Sequence, residues 1–85
     1  MAQRNRTYTD ILAQILNTAN YSGSITKSKI MYKANISHTQ LKEYTSIMVE
    51  NDLLKYNENE QTYRVTDRGL RFLKVYEHIN KLIQS

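Results

Sequence analysis

The chain has no cysteine and no proline, and only two glycines, Gly23 and Gly69, among its 85 residues. Without cysteine there is no disulfide, no thiolate zinc site and no cysteine nucleophile, a usage that fits a reducing cytoplasm. With so few breakers, long loops and low-complexity linkers have no place. No apolar run approaches the roughly 20 residues of a membrane span, and the opening MAQRNRTYTD lacks the apolar centre of a signal peptide. The expectation is a soluble, cytoplasmic chain that builds one domain around a single small core.

Acidic side chains are scarce in one half only. Residues 1 to 42 carry Arg4, Arg6, Lys27, Lys29, Lys33 and Lys42 against Asp10 alone, a net +5, whereas residues 43 to 85 sum to −1. The entire excess of +4 therefore lies in the first half. Such a basic half is what a polyanion-binding surface looks like in sequence, and it is also what a solvated lysine-rich face looks like. Charge alone does not separate the two.

Signals of catalysis are missing as well. The two histidines, His38 and His78, lie far apart in sequence, and neither has a carboxylate at catalytic or metal-ligand spacing beyond the adjacent Glu77, which projects another way. There is no phosphate-cradling glycine loop and no nucleophile motif. No enzyme, metal or cofactor is expected.

What is present is helical periodicity, interrupted at defined points. Thr9 or Asp10 can cap a first helix in which Ile11, Leu12, Ile15, Leu16 and Ala19 form one apolar stripe. Asn20 to Gly23 stops it. Ser24-Ile25-Thr26 is long enough only for a minimal strand, and Thr26 can cap a second helix running to about Ala34. Ser37 opens a third. Ser37 and Gln40 fit a capping box, in which the serine oxygen accepts the amide of residue 40 and the glutamine accepts the amide of residue 37. Ile36 before the cap and Leu41 within the helix can close as a hydrophobic staple. Both devices fix the angle at which the chain enters the third helix, and a short angle-defining joint of this kind is the helix-turn-helix arrangement.

At about 100° per residue, Leu41, Tyr44, Thr45 and Met48 share one side of the third helix, and Thr39, Lys42, Glu43, Ser46 and Glu50 the other. The second side is polar, with mostly short side chains near the helix start, where a recognition helix meets base edges. Thr39, Gln40, Lys42 and Ser46 suit bases or phosphates, and His38 can touch phosphate. Glu43 can accept from cytosine but otherwise repels the backbone. The same surface also reads as an ordinary solvent face.

Asn51 and Asp52 end the third helix, and LLKY, NENE and QTYRV follow as strand, turn and strand. Leu54 and Tyr56 alternate with Lys55, and Tyr63 and Val65 with Thr62 and Arg64. The order becomes helix, strand, helix, helix, hairpin, helix: a mainly α chain with a small β-hairpin, the winged-helix order.

Residues 24 to 73 resemble the small archaeal winged helix-turn-helix DNA-binding proteins, including the Sulfolobus-type chromatin proteins of similar length. KIMYKANISHTQLKEY, Lys29 to Tyr44, is similar to their second and third helices. YRVTDRGLRFL, Tyr63 to Leu73, is similar to their last strand and to the T-x-x-G start of their last helix. The resemblance implies a double-stranded DNA-binding homodimer, joined through its C-terminal helices, that regulates transcription or organises the nucleoid. Its DNA contacts would come from Lys27, Lys29, Lys33, His38, Thr39, Gln40, Lys42, Ser46 and Arg64. The hairpin tip departs from a DNA-binding wing: Asn57-Glu58-Asn59-Glu60 carries two acids and no base. Phosphates repel such a tip, which leaves open a winged helix used as a protein-docking module.

The last helix, capped by Thr66, continues to about Ile83. Leu70 and Leu73 share one side and would close the core. Phe72, Val75, Tyr76, Ile79, Leu82 and Ile83 cover another and would meet the same helix of a second chain, or else pack back on the first helix. The expected organisation is a basic tail over residues 1–8, a winged helix-turn-helix over 9–66 and a closing, dimerising helix over 67–85.

Overall fold

The computed structural model describes residues 6–84. In chain order it contains α1 (Tyr8–Ser22), β1 (Ile25–Thr26), α2 (Lys27–Ala34), α3 (His38–Glu50), β2 (Leu54–Asn57), β3 (Thr62–Val65) and α4 (Asp67–Gln84). The winged-helix order expected from the sequence is the observed one.

α1 is the centre of the domain. Its stripe of Ile11, Leu12, Ile15, Leu16 and Ala19 is buried, and it packs against α2, α4 and the sheet. The helix begins earlier than Thr9 or Asp10. Thr7 is the cap: its hydroxyl accepts the Asp10 amide at 3.0 Å, and the Asp10 carboxylate accepts the Thr7 amide at 3.0 Å. Asp10 is thus the reciprocal member of a capping box and not the cap, so the tail expected over residues 1–8 is already structured at Thr7. Residues 1–5, including Arg4, lie outside the described residues.

The sheet has the order β1-β3-β2, antiparallel throughout. Its register puts Ile25, Tyr56 and Tyr63 in one row, and the Tyr56 and Tyr63 rings lie 4.8 Å apart. Lys55 and Arg64 are directly opposite each other in the next row, both exposed.

α4 is docked at its first turn. The Thr66 amide donates to the Leu53 carbonyl at 3.1 Å and the Thr66 hydroxyl to the Asp52 carbonyl. That hydroxyl also accepts the Gly69 amide at 3.0 Å, which makes Thr66 the cap. Gly69 is buried because the backbone of Leu53 occupies the place of a side chain. Leu73 then joins the core, while Leu70, expected beside it, is half-buried.

Candidate nucleic-acid interface

The joint between α2 and α3 is fixed from both sides. Asn35 takes a left-handed conformation (φ +54°) and donates its amide to the Met31 carbonyl, which also accepts the Ile36 amide at 3.2 Å. Asparagine tolerates this region better than most residues with a side chain. Two residues later the expected capping box is present: Gln40 N–H donates to Ser37 Oγ at 3.1 Å and Ser37 N–H to Gln40 Oε1 at 2.9 Å. Ile36 and Leu41 are both buried, as a staple requires.

A third support comes from the chain ahead of α1. The Arg6 guanidinium donates to the carbonyls of Ala34 and Asn35 and to Gln14 Oε1, and Gln14 donates to the Lys33 carbonyl at 3.0 Å. Carbonyls left over at the end of α2 are thereby satisfied, and a cation sits at the negative end of the helix. The Arg6 charge, counted in the basic half, belongs to the scaffold. Only the contacts of the folded chain reveal this, since Arg6 and Asn35 are far apart in sequence.

This scaffold presents one face of α3. Leu41, Thr45 and Met48 are buried and Tyr44 is half-buried against Tyr8, with ring centroids 5.4 Å apart. The Thr45 hydroxyl donates to the Leu41 carbonyl at 2.7 Å, so the buried oxygen is satisfied within the helix. His38, Thr39, Lys42, Glu43, Ser46 and Glu50 are exposed. Gln40 is exposed too, but its oxygen is taken by the cap. Reading adenine through both its oxygen and its amide N–H2 would require that oxygen to accept a second hydrogen bond or to leave the cap.

The remaining candidates fall into separate groups. Lys27 lies 5.7 Å from the Tyr56 ring centroid and shares a cleft with Ser28, Glu60 and Gln61, so it stands where α2 meets the hairpin. Arg64 pairs across the hairpin with Lys55. Lys29 and Lys33, by contrast, line a groove whose other wall is the end of α1, from Asn17 to Ser22. No residue of α3 or of the hairpin enters that groove. At the hairpin tip Glu58 and Glu60 are exposed, and Asn57 Oδ1 accepts the Glu60 amide at 3.1 Å.

The expected α4 stripe is divided. Phe72 and Tyr76 pack on the domain's own core, and the Tyr76 hydroxyl donates to Asp10. Val75, Ile79, Leu82 and Ile83 remain exposed. A helical spacing of 100° specifies that these side chains share a side, but not how far α1 reaches across it. Among the described residues there is no group of three or more His, Cys, Asp or Glu placed to hold a metal. None of their helices is long and apolar enough to cross a membrane.

A family model for winged helix-turn-helix proteins matches residues 5–84. No curated protein matches the chain. Among solved structures, the chain is similar to the crystal structure of Sso10a-2, a DNA-binding protein from Sulfolobus solfataricus, with a TM-score of 0.80 and 22% identity. That match covers 93% of this chain and 83% of the other.

Proposed function

The chain belongs to the winged helix-turn-helix family, and from that premise we propose that it binds double-stranded DNA, with α3 in the major groove, as a transcriptional regulator or an architectural protein. The observation that carries this reading is the exposed polar face of α3, held by a buried apolar face and a doubly capped joint. His38, Thr39, Lys42 and Ser46 meet the duplex. Lys27 flanks them on one side of the hairpin junction, and Lys55 and Arg64 supply further phosphate contacts. The DNA-binding activity named for the similar Sulfolobus protein supports the same reading. Two copies act together, joined through Val75, Ile79, Leu82 and Ile83.

The test is a titration of random and genomic duplexes at several salt concentrations. One preferred site identifies a regulator; equal affinity everywhere identifies an architectural protein; absence of binding at low salt overturns the proposal. Lys42→Ala removes one phosphate contact and is expected to reduce the log–log salt slope by about 0.9, weakening all sequences alike. Thr39→Ala changes discrimination between sequences and leaves the slope alone. Both side chains are exposed, so circular dichroism should show an unchanged fold. Variants that bind like the parent remove α3 from the interface.

The acidic hairpin tip favours a second reading, a winged helix that docks a protein. Replacing both Glu58 and Glu60 with Lys separates the two. If the tip lies within a Debye length of the phosphates, about 10 Å at 0.1 M salt, the reversal tightens duplex binding severalfold at low salt. Unchanged duplex affinity places the tip away from DNA and leaves it free for a protein partner.

A further inference from the structure

Tyr21 and Tyr32 are 94% and 80% exposed, more than any other large apolar side chain among the described residues. Neither ring stacks on another ring or makes a hydrogen bond with a described residue. Each is close to the same two lysines, Lys29 and Lys33, Tyr21 through a shared groove and Tyr32 along α2 outside it. Tyr21 and both lysines line the open groove of about 560 Å³ formed by α1 and α2. Tyr32 lies next in sequence to Lys33 and one helical turn from Lys29, about 60° away from Lys29 around the axis.

The groove carries no acid: its α1 wall, Asn17 to Ser22, offers only amides, hydroxyls and the tyrosine. The one acid in residues 1 to 42, Asp10, precedes Tyr21 on α1 by about 16 Å at 1.5 Å per residue. It is also occupied there with Thr7 and Tyr76.

We propose that this α1–α2 face is a binding site for a short single-stranded segment of nucleic acid, separate from the α3 face. Lys29 and Lys33 meet the phosphates. Tyr21 and Tyr32 stack on two bases, and Asn17 and Asn20 can hydrogen-bond base edges. The choice of a single strand follows from the rings. A tyrosine stacks on the face of a base, and in a duplex both faces of nearly every base are covered by its neighbours. Lysines alone would serve either form, but two bare aromatic rings beside them serve only unstacked bases.

The test uses fluorescence anisotropy with labelled eight-nucleotide oligo-dT, oligo-rU, an abasic strand of equal length, and a duplex. The parent is expected to bind oligo-dT or oligo-rU at least tenfold more tightly than the abasic strand, the tighter of the two identifying the preferred sugar. Tyr21→Ser with Tyr32→Ser should abolish that preference, with no change in salt slope and none in duplex affinity. Lys29→Gln with Lys33→Gln should lower the single-strand salt slope by about 1.4, two contacts at about 0.7 each. Thr39→Ala with Lys42→Ala should leave the oligonucleotide affinity intact. Equal affinity for the abasic strand would overturn the proposal, as would tyrosine variants that bind like the parent. Loss of oligonucleotide binding in the α3 variant would merge the two surfaces into one and overturn it as well. Failure of duplex binding alone bears only on the reading of α3.

Discussion

Gly69→Ala is expected to lower the melting temperature by about 15 °C, which corresponds to about 3 kcal/mol in a domain of this size. The sign is not obvious from the residue types. Alanine in a helix interior is favoured over glycine by about 1 kcal/mol, so a helix considered by itself would be strengthened. Packing decides the outcome. A β-carbon on Gly69 meets the Leu53 carbonyl oxygen far inside van der Waals contact and stands 2.8 Å from Val65 Cγ1.

The carbonyl cannot move freely, because it accepts the Thr66 amide at 3.1 Å. Relief requires lifting the first turn of α4 from Asp52 and Leu53. That movement strains the two hydrogen bonds Thr66 makes to them, each worth about 1 kcal/mol, in addition to an overpacking cost of about 1–3 kcal/mol. Gly23→Ala is the comparison. Nothing lies within 4 Å of the added carbon there, but φ is +83° with ψ −47°, so only a conformational cost of about 1–3 kcal/mol applies. Thermal melts followed by circular dichroism measure both. A Gly69→Ala variant as stable as the parent would mean that α4 does not dock this closely.

The features legible in the sequence were those with local causes. The start of α3 follows from serine and glutamine three apart and stands where the spacing puts it; the hairpin follows from alternation around Asn57 to Glu60, with Asn57 drawn into β2 and the turn moved to residues 58–61. The cap of α1 obeyed the same rule through Thr7 and Asp10, a threonine and an acid three apart, and reading the acid as the cap displaced the helix start. Other features had no local cause. Arg6 reaches Asn35 only because α1 and α2 are packed together. Lys29 and Lys33 looked like companions of Lys42 on a count of charge, but the fold turns them toward α1. Charge counting locates a basic half of a chain; it cannot divide that half between two faces. For Phe72 and Tyr76, periodicity assigned a side of α4, and the hydrogen bond from Tyr76 to Asp10 assigned that part of the side to the domain itself.

Ile79→Asp is expected to convert the proposed dimer into a folded monomer and to weaken binding to a two-site duplex by about 100-fold, the loss of avidity when two linked sites become one. Ile79 is 49% exposed within its own chain, and Val75, Leu82 and Ile83 around it are exposed too. A carboxylate at this position stays hydrated in the monomer, so the domain should melt near the parent temperature. In a seam between two copies it is dry, at a cost of several kcal/mol per charge. A two-fold interface contains the substitution twice, with the two sites related by the symmetry axis. Leu73, Phe72 and Tyr76 continue to hold α4 on the domain. Ile79→Asn, which carries no charge, should weaken the dimer less than Ile79→Asp and so separate charge burial from lost apolar contact. Sedimentation at tens of micromolar reports the oligomeric state, and titration with one-site and two-site duplexes reports the coupling. One-site affinity should match the parent's in both variants. A parent protein that sediments as a monomer would sink the dimer, and an Ile79→Asp variant that unfolds would assign Ile79 to the core of its own chain.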